Sequence, residues 1–154
     1  MKTIDLARAV EPIIADAIDA RVFPGAVIEV GRAHGALDTF AAGTQTYDHD
    51  SAPVAAETIY DLASLTKVIG TTALVAGEVA SGRMRLHDRV RHWIAGWTGE
   101  ERQDVTLRDL LEHASGLPAH RKYFETRQGR ASFEIAICEE PLDYPPRRTS
   151  VYSD

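Results

Sequence analysis

Tyr60-Asp61-Leu62-Ala63-Ser64-Leu65-Thr66-Lys67-Val68-Ile69-Gly70 sets a serine and a lysine three residues apart, a spacing that brings both onto one helical face within reach of each other. A serine hydroxyl is a poor nucleophile near neutral pH and needs a base at hydrogen-bond distance. A desolvated lysine, or one beside other cations, can lose its proton and serve, whereas arginine cannot. Only three of the 17 basic residues are lysines (Lys2, Lys67 and Lys122), so a lysine here departs from the chain's habit. The plain alternative is an amphipathic helix with a hydroxyl near its start and a solvated cation one turn later. The pattern fixes two positions only and recurs by chance.

The surroundings favour the chemical reading. From Ala63 to Ala80 the only ionisable side chains are Lys67 and Glu78, and Leu65, Val68, Ile69, Leu74, Val75 and Val79 spread over several faces. A helix apolar on all sides is expected to be central and mostly buried, and this one would run roughly 27 Å. A lysine near the start of such a helix calls for a partner or a function. Ser64 would lie at the helix's positive end, where free backbone N–H groups can hold a developing oxyanion.

Working outward, Leu6, Val10, Ile13, Ile14, Ala17 and Ile18 recur at helical spacing, predicting a packing helix over about residues 4 to 21 that Pro12 kinks or restarts. Phe23-Pro24-Gly25 breaks it. Ala26 to Val30 then reads as a strand turning near His34-Gly35 into a second strand, Leu37 to Ala42, and residues 43 to 57 read as a surface loop. Gly82 closes the long helix. Trp93 and Trp97 are expected in the core. Thr106 to Pro118 reads as a helix with Thr106 and Asp109 as a capping box and Gly116-Leu117-Pro118 as its stop. A further helix is expected near Ser132 to Glu139, followed by a loop from Pro141 to Ser150.

Ser64-Leu65-Thr66-Lys67, the Gly82 to Val90 segment, the helix ending in His113-Ala114-Ser115-Gly116-Leu117, and Tyr152-Ser153-Asp154 occur in this order. In that order and spacing the chain resembles the N-terminal portion of a class C β-lactamase-like serine hydrolase, a family that also holds penicillin-binding DD-peptidases and carboxylesterases. The resemblance runs from about Phe23 to Asp154 and implies an α/β (α+β) fold, an antiparallel sheet flanked by helices with a mostly helical subdomain. Residues 1–62 would supply the N-terminal helix and hairpin of one catalytic domain, and 63–154 the serine helix and helical region. It further implies Ser64 as the nucleophile that forms an acyl-enzyme, Lys67 and Tyr152 sharing the general-base work, and the third residue of a Tyr-x-Asn motif holding substrate and lysine.

That third residue is Asp154. A carboxylate in place of a neutral amide favours the protonated Lys67, shifts the base role toward Tyr152, and removes an N–H donor. The family's third motif, Lys-Thr-Gly or His-x-Gly on a strand, has no counterpart after Tyr152, so the chain is read as an incomplete catalytic domain, with its own C-terminal portion as an expected partner.

Other residues read more plainly. His113 is expected to cap helix carbonyls, Glu139-Glu140 to be a solvated pair, and Cys138 to be a small core residue. His87 and His92 lack a set of metal-ligand neighbours, and neither metal nor cofactor is expected. A net charge of −6 with pI near 5.5 and scattered basic residues argue against nucleic acid, and no stretch reads as membrane-spanning. Asp5, Arg8 and Glu11 interrupt the start, which lacks the pattern of a secretion signal, and one cysteine excludes an internal disulfide. The product is therefore expected to be a cytoplasmic serine hydrolase acting on a small ester, amide or β-lactam. The alternatives are a catalytically inactive binding or scaffold protein on the same fold, or one chain of a two-chain enzyme.

Overall fold

The computed structural model describes residues 6–154 in two units, 6–61 and 62–154. In the first, helix α1 (Leu6–Asp19) runs through Pro12, and the expected start at residue 4 lies outside the described residues. Its stripe is only partly inward: Ile14 is buried and Val10, Ala17 and Ile18 half-buried, but Ile13 is exposed. Strands β1 (Gly25–Arg32) and β2 (Gly35–Gly43) pair antiparallel from Gly25↔Gly43 to Arg32↔Gly35, with a one-residue slip between Val30 and Gly31. The chain then folds back so that Val54 donates its N–H to the Gly43 carbonyl (3.0 Å), and Val54 joins Ile14 among the buried residues.

In the second unit the Ser64 turn leads into a π-helical stretch, Lys67–Thr72, continuous with helix α2 (Ala73–Ala80). The wide turn is held in part by the Thr72 hydroxyl, which donates to the Lys67 carbonyl at 3.0 Å; such turns interrupt α-helices most often at functional sites. Gly82 (φ 74°) ends α2 by the expected glycine cap, donating its N–H to the Val79 carbonyl. The expectation of a wrapped, buried helix is corrected. None of residues 67–80 is buried, and Leu65, Val68, Ile69 and Leu74 are exposed. Packing reaches one side only, the half-buried Lys67, Gly70, Val75, Glu78 and Val79.

That core is Val90, Trp97 and Val105, with Ile94, Leu110, Leu117, Ile137 and Cys138 packed against it. Trp97 is therefore core as expected, but Trp93 is half exposed. The backbone brings the flanks together: Val90 N–H donates to the Val105 carbonyl (2.9 Å) and Leu107 N–H to the Asp88 carbonyl (3.0 Å). Arg102 is 2% exposed yet fully engaged. Its guanidinium donates to the carbonyls of Cys138 (2.8 Å) and Glu140 and lies over the Trp97 ring, whose indole N–H donates to the Arg102 carbonyl. A buried cation is tolerable only when paired and hydrogen-bonded in this way. It ties helix α5 to the core; α5 (Gly129–Glu139) begins three residues before the expected Ser132 and is preceded by the short α4 (Tyr123–Thr126).

The helix expected over 106–118 is shorter. The Thr106/Asp109 capping box is present, but α3 (Leu107–Leu111) ends early because His113 turns left-handed (φ 54°) and the chain continues extended. Gly116 (φ 88°) serves that extended run: a Cβ there would collide with the Tyr144 carbonyl. Glu140 is likewise not solvated, since it accepts from Arg121 (2.8 Å) and from the Tyr123 hydroxyl (2.7 Å). Among the described residues no helix is long and apolar enough to cross a membrane.

Asp109 clips the unit together. Buried to 4% exposure, it accepts from Thr106 and from both Nε (3.0 Å) and Nη2 (2.9 Å) of Arg147. Burial pushes its carboxyl up, but the Arg147 and Thr106 hydrogen bonds outweigh this and leave it below the usual carboxylate range. Asp109→Ala is expected to cost about 2–3 kcal/mol in a denaturant titration, a value reduced from the usual cost of breaking a buried pair because Arg147 is half exposed. A carboxyl lowered by folding stabilises above its unfolded pKa and ceases to as it is protonated, so the gap between native and variant should close as the pH falls below about 4.

Candidate active site

Ser64 sits on a tight turn. Ala63 before it takes a left-handed backbone (φ 42°), a conformation that costs energy for a residue with a Cβ. The N–H groups of Leu65, Thr66 and Lys67 donate to the carbonyls of Leu62, Ala63 and Ser64. This narrows the expectation of a helix start rich in free donors: these three are engaged, while the Ser64 N–H makes no backbone hydrogen bond among the described residues. One turn on, the Lys67 ammonium donates to Ser64 Oγ at 3.2 Å, the contact that the three-residue spacing predicts.

Tyr152 arrives from far along the chain on a segment laid against residues 112–119. Arg147 N–H donates to the Ala114 carbonyl (2.8 Å), Val151 N–H to His113 (3.0 Å) and Asp154 N–H to Ala119 (3.0 Å). Side chains add to the ladder: Ser150 Oγ donates to the Glu112 carbonyl (2.7 Å) and Ser153 Oγ to the Pro118 carbonyl (2.9 Å). His113 is the centre of this arrangement. Its Nδ1 accepts the Ser153 N–H at 3.2 Å, and its ring lies 4.8 Å from that of Tyr152. The capping role expected for His113 is thus replaced: its Nδ1 accepts the Ser153 amide, and the ring orients the Tyr152 segment instead of bonding helix carbonyls.

The charges converge on Lys67, which donates to Asp154 Oδ1 at 3.3 Å and lies 5.0 Å from the centroid of the Tyr152 ring. Tyr152 and then Asp154 hold the Lys67 ammonium above the ordinary lysine range, against some desolvation. The Tyr152 phenol is pulled below its usual range, first by its interaction with the Ser64 hydroxyl and then by Lys67. Asp154 is lowered by His120 and by Lys67. The two shifts run in opposite directions: Lys67 favours its ammonium form, and the Tyr152 phenol beside Ser64 gives up its proton more readily than an ordinary phenol.

These side chains open onto a cleft of about 390 Å³ with an apolar wall that includes Val68, Leu110 and Leu117, within the size range of small-molecule sites. Ser64, Lys67, Tyr152 and Asp154, separated by up to 90 positions, are brought together in it. Sequence reading missed His120, whose Nδ1 lies 2.6 Å from Asp154 Oδ2. No spacing rule joins positions 34 apart; only the ladder that carries Asp154 past Ala119 does. Among the described residues no cluster of three or more His, Cys, Asp or Glu side chains is placed to hold a metal.

A two-stranded sheet with helices, a Ser-x-x-Lys turn and a returning tyrosine are the parts of a serine β-lactamase-like fold. Residues 10–154 match the Beta-lactamase family, and the chain belongs to it. A protein of Escherichia coli (strain K12) named "Putative D-alanyl-D-alanine carboxypeptidase" is 32% identical over 110 residues, covering 63% of this chain and 25% of its own. N-acetylmuramyl-L-alanine amidase of Bacillus subtilis (strain 168) is 27% identical over 152 residues, covering 86% of this chain and 34% of its own. Among solved structures, SurE superposes with a TM-score of 0.71 at 25% identity over 95% of this chain and 31% of that one. A "putative beta-lactamase from Bacteroides dorei DSM 17855" shares the fold with a TM-score of 0.66 at 20% identity, over 96% and 42%. The chain spans between a quarter and about a third of the length of these two curated relatives.

Replacing His113 by Ala removes the acceptor of the Ser153 N–H and the ring beneath Tyr152. Exchange of the Ser153 amide proton, followed by NMR, is expected to quicken by about tenfold, the equivalent of one hydrogen bond of ordinary net strength.

Proposed function

We propose that the protein is a serine hydrolase working through an acyl-enzyme at Ser64, with a small ester, amide or β-lactam as substrate. The observation that carries this reading is the contact of Ser64 Oγ with the Lys67 ammonium at 3.2 Å, beside a Tyr152 whose phenol is lowered by both. A lone Ser-x-x-Lys helix would present the first pair without the third group.

In the reaction Tyr152, as phenolate, takes the Ser64 proton while Oγ bonds to the substrate's carbonyl carbon. The Ser64 N–H is a donor for the oxyanion, and the nearby Lys67 ammonium stabilises both the phenolate and the developing negative charge. Collapse of the tetrahedral species breaks the bond to the leaving group, which takes up the proton held by Tyr152. Water then adds to the acyl-enzyme with Tyr152 again accepting a proton, and Ser64 Oγ leaves as the hydroxyl.

The names of the relatives supply a preference within this class. A carboxypeptidase and an amidase are named for cleaving amide bonds, so an amide of the peptidoglycan type is a substrate class to test alongside esters. Asp154 bears on the β-lactam option. Its two oxygens already accept from Lys67 and His120, and it has no N–H to offer a substrate carbonyl. Esters and simple amides are therefore preferred over penicillins carrying an acylamino side chain.

Intact-mass spectrometry of the full gene product after exposure to a fluorophosphonate, and separately to a penicillin, tests the reading. One fluorophosphonate adduct is expected, absent in Ser64→Ala, with hydrolysis of an activated ester falling by about a thousandfold or more in the variant. Activity that survives Ser64→Ala would point instead to a binding protein or to a different nucleophile.

A further inference from the structure

Asp154 has two side-chain partners rather than one. One oxygen, Oδ1, accepts from the Lys67 ammonium at 3.3 Å, and the other, Oδ2, stands 2.6 Å from His120 Nδ1. A carboxylate has acceptors only, so His120 must carry its proton on Nδ1 and donate it. The short separation is that of a charge-assisted hydrogen bond. The side chains therefore form a continuous line, Ser64–Lys67–Asp154–His120, with the imidazole at its outer end.

We propose that His120 is a positioning residue for the hydrolase chemistry: by donating its Nδ1 proton to Asp154 Oδ2 it holds the other carboxylate oxygen toward the Lys67 ammonium. This rests on the reading of Ser64, Lys67 and Tyr152 given above. The donated proton fixes the rotation of the carboxylate, so that its negative charge stays directed at Lys67. Without the imidazole the carboxylate is free to turn, and the ammonium is less firmly held beside Ser64 and Tyr152.

The groups facing His120 leave it free to play this part. Arg121, next in the chain, donates to the His120 carbonyl, while its own charge is taken up by Glu140 at 2.8 Å, with Asp143 3.9 Å away. Lys122 pairs with Glu125 at 3.1 Å. Tyr123 donates to Glu140 and is pushed up to about 12 by burial and by that carboxylate, so its hydroxyl is not a rival donor for Asp154. Asp154 is thus the carboxylate in direct contact with the His120 ring. The ring is about half exposed and borders a second cleft of about 300 Å³ with Leu117, Phe133 and Ile137.

The test is kcat and KM for an activated ester, measured separately at one pH on the full gene product and on His120→Ala, His120→Asn, Asp154→Asn, the double variant His120→Ala with Asp154→Asn, and Ser64→Ala. His120→Ala should lower kcat by about tenfold with KM little changed. His120→Asn, which keeps a donor near the Nδ1 position, should recover part of that loss. In the Asp154→Asn background His120→Ala should have no further effect, because the line between His120 and Lys67 is already broken. An unchanged kcat in His120→Ala, or a full loss of about tenfold that persists in the Asp154→Asn background, overturns the assignment while leaving the hydrolase reading intact if Ser64→Ala is inactive. Full activity in Ser64→Ala overturns both.

Discussion

The Lys67 ammonium is the constraint around which the site is arranged. Lys67 is the cation of a helix whose other charge, Glu78, is paired with Arg83, and three groups gather around it: the Ser64 hydroxyl at 3.2 Å, the Asp154 carboxylate at 3.3 Å and the face of the Tyr152 ring at 5.0 Å. Two of the three come from the far end of the chain, so this arrangement forms only when residues 150–154 are carried back to the serine turn. The extended run 112–119, opened by the left-handed His113 and allowed by Gly116, gives that segment its hydrogen-bond partners. The Asp109–Arg147 clip then fixes the ladder to α3, while the buried Arg102 ties α5 to the core. Local strain at Ala63 and the wide turn at Lys67–Thr72 lie at the same point, which is where a fold stores strain when the position has a use.

The geometry moves lysine and tyrosine in opposite directions. A lysine can act as a base only where surroundings lower it, through burial or neighbouring cations. Lys67 has instead a phenol and a carboxylate, which raise it. In the proposed mechanism the proton-accepting role therefore falls to Tyr152, which its neighbours, a hydroxyl and a cation, lower. Asp154, where the resemblance read from the sequence implies an amide, is therefore not neutral: it adds a carboxylate that favours the charged form of Lys67, and it brings His120 into contact with the site.

Much of the site was legible in the sequence because it is written locally or in ordered motifs. The Ser64–Lys67 contact follows from helical spacing, while singling that pair out, with Tyr152 and Asp154, took the uncharged run around it and the order of the motifs. The hairpin, the Thr106/Asp109 capping box and the Gly82 cap rest on short-range backbone chemistry and were equally readable. What was not legible depends on tertiary placement. The apolar run from Leu65 to Val79 implies burial, yet which faces are covered depends on where the core of Val90, Trp97 and Val105 assembles. His113 looks like a helix cap until its backbone turns left-handed and its ring meets Ser153. Glu140 and His120 acquire their partners, Arg121 with Tyr123 and Asp154 respectively, only through contacts 17 or more residues apart.

The division of protons between Lys67 and Tyr152 is the claim on which the chemistry stands, and ultraviolet difference titration of tyrosine ionisation, native chain against Tyr152→Phe, tests it most directly. Tyr123, pushed up to about 12, stays out of the range where Tyr152 should respond. The account predicts that the native chain ionises one tyrosine below the ordinary phenol value of about 10 and that this component disappears in the variant. Two titrations that coincide below that value would contradict it, and would return the base role to Lys67.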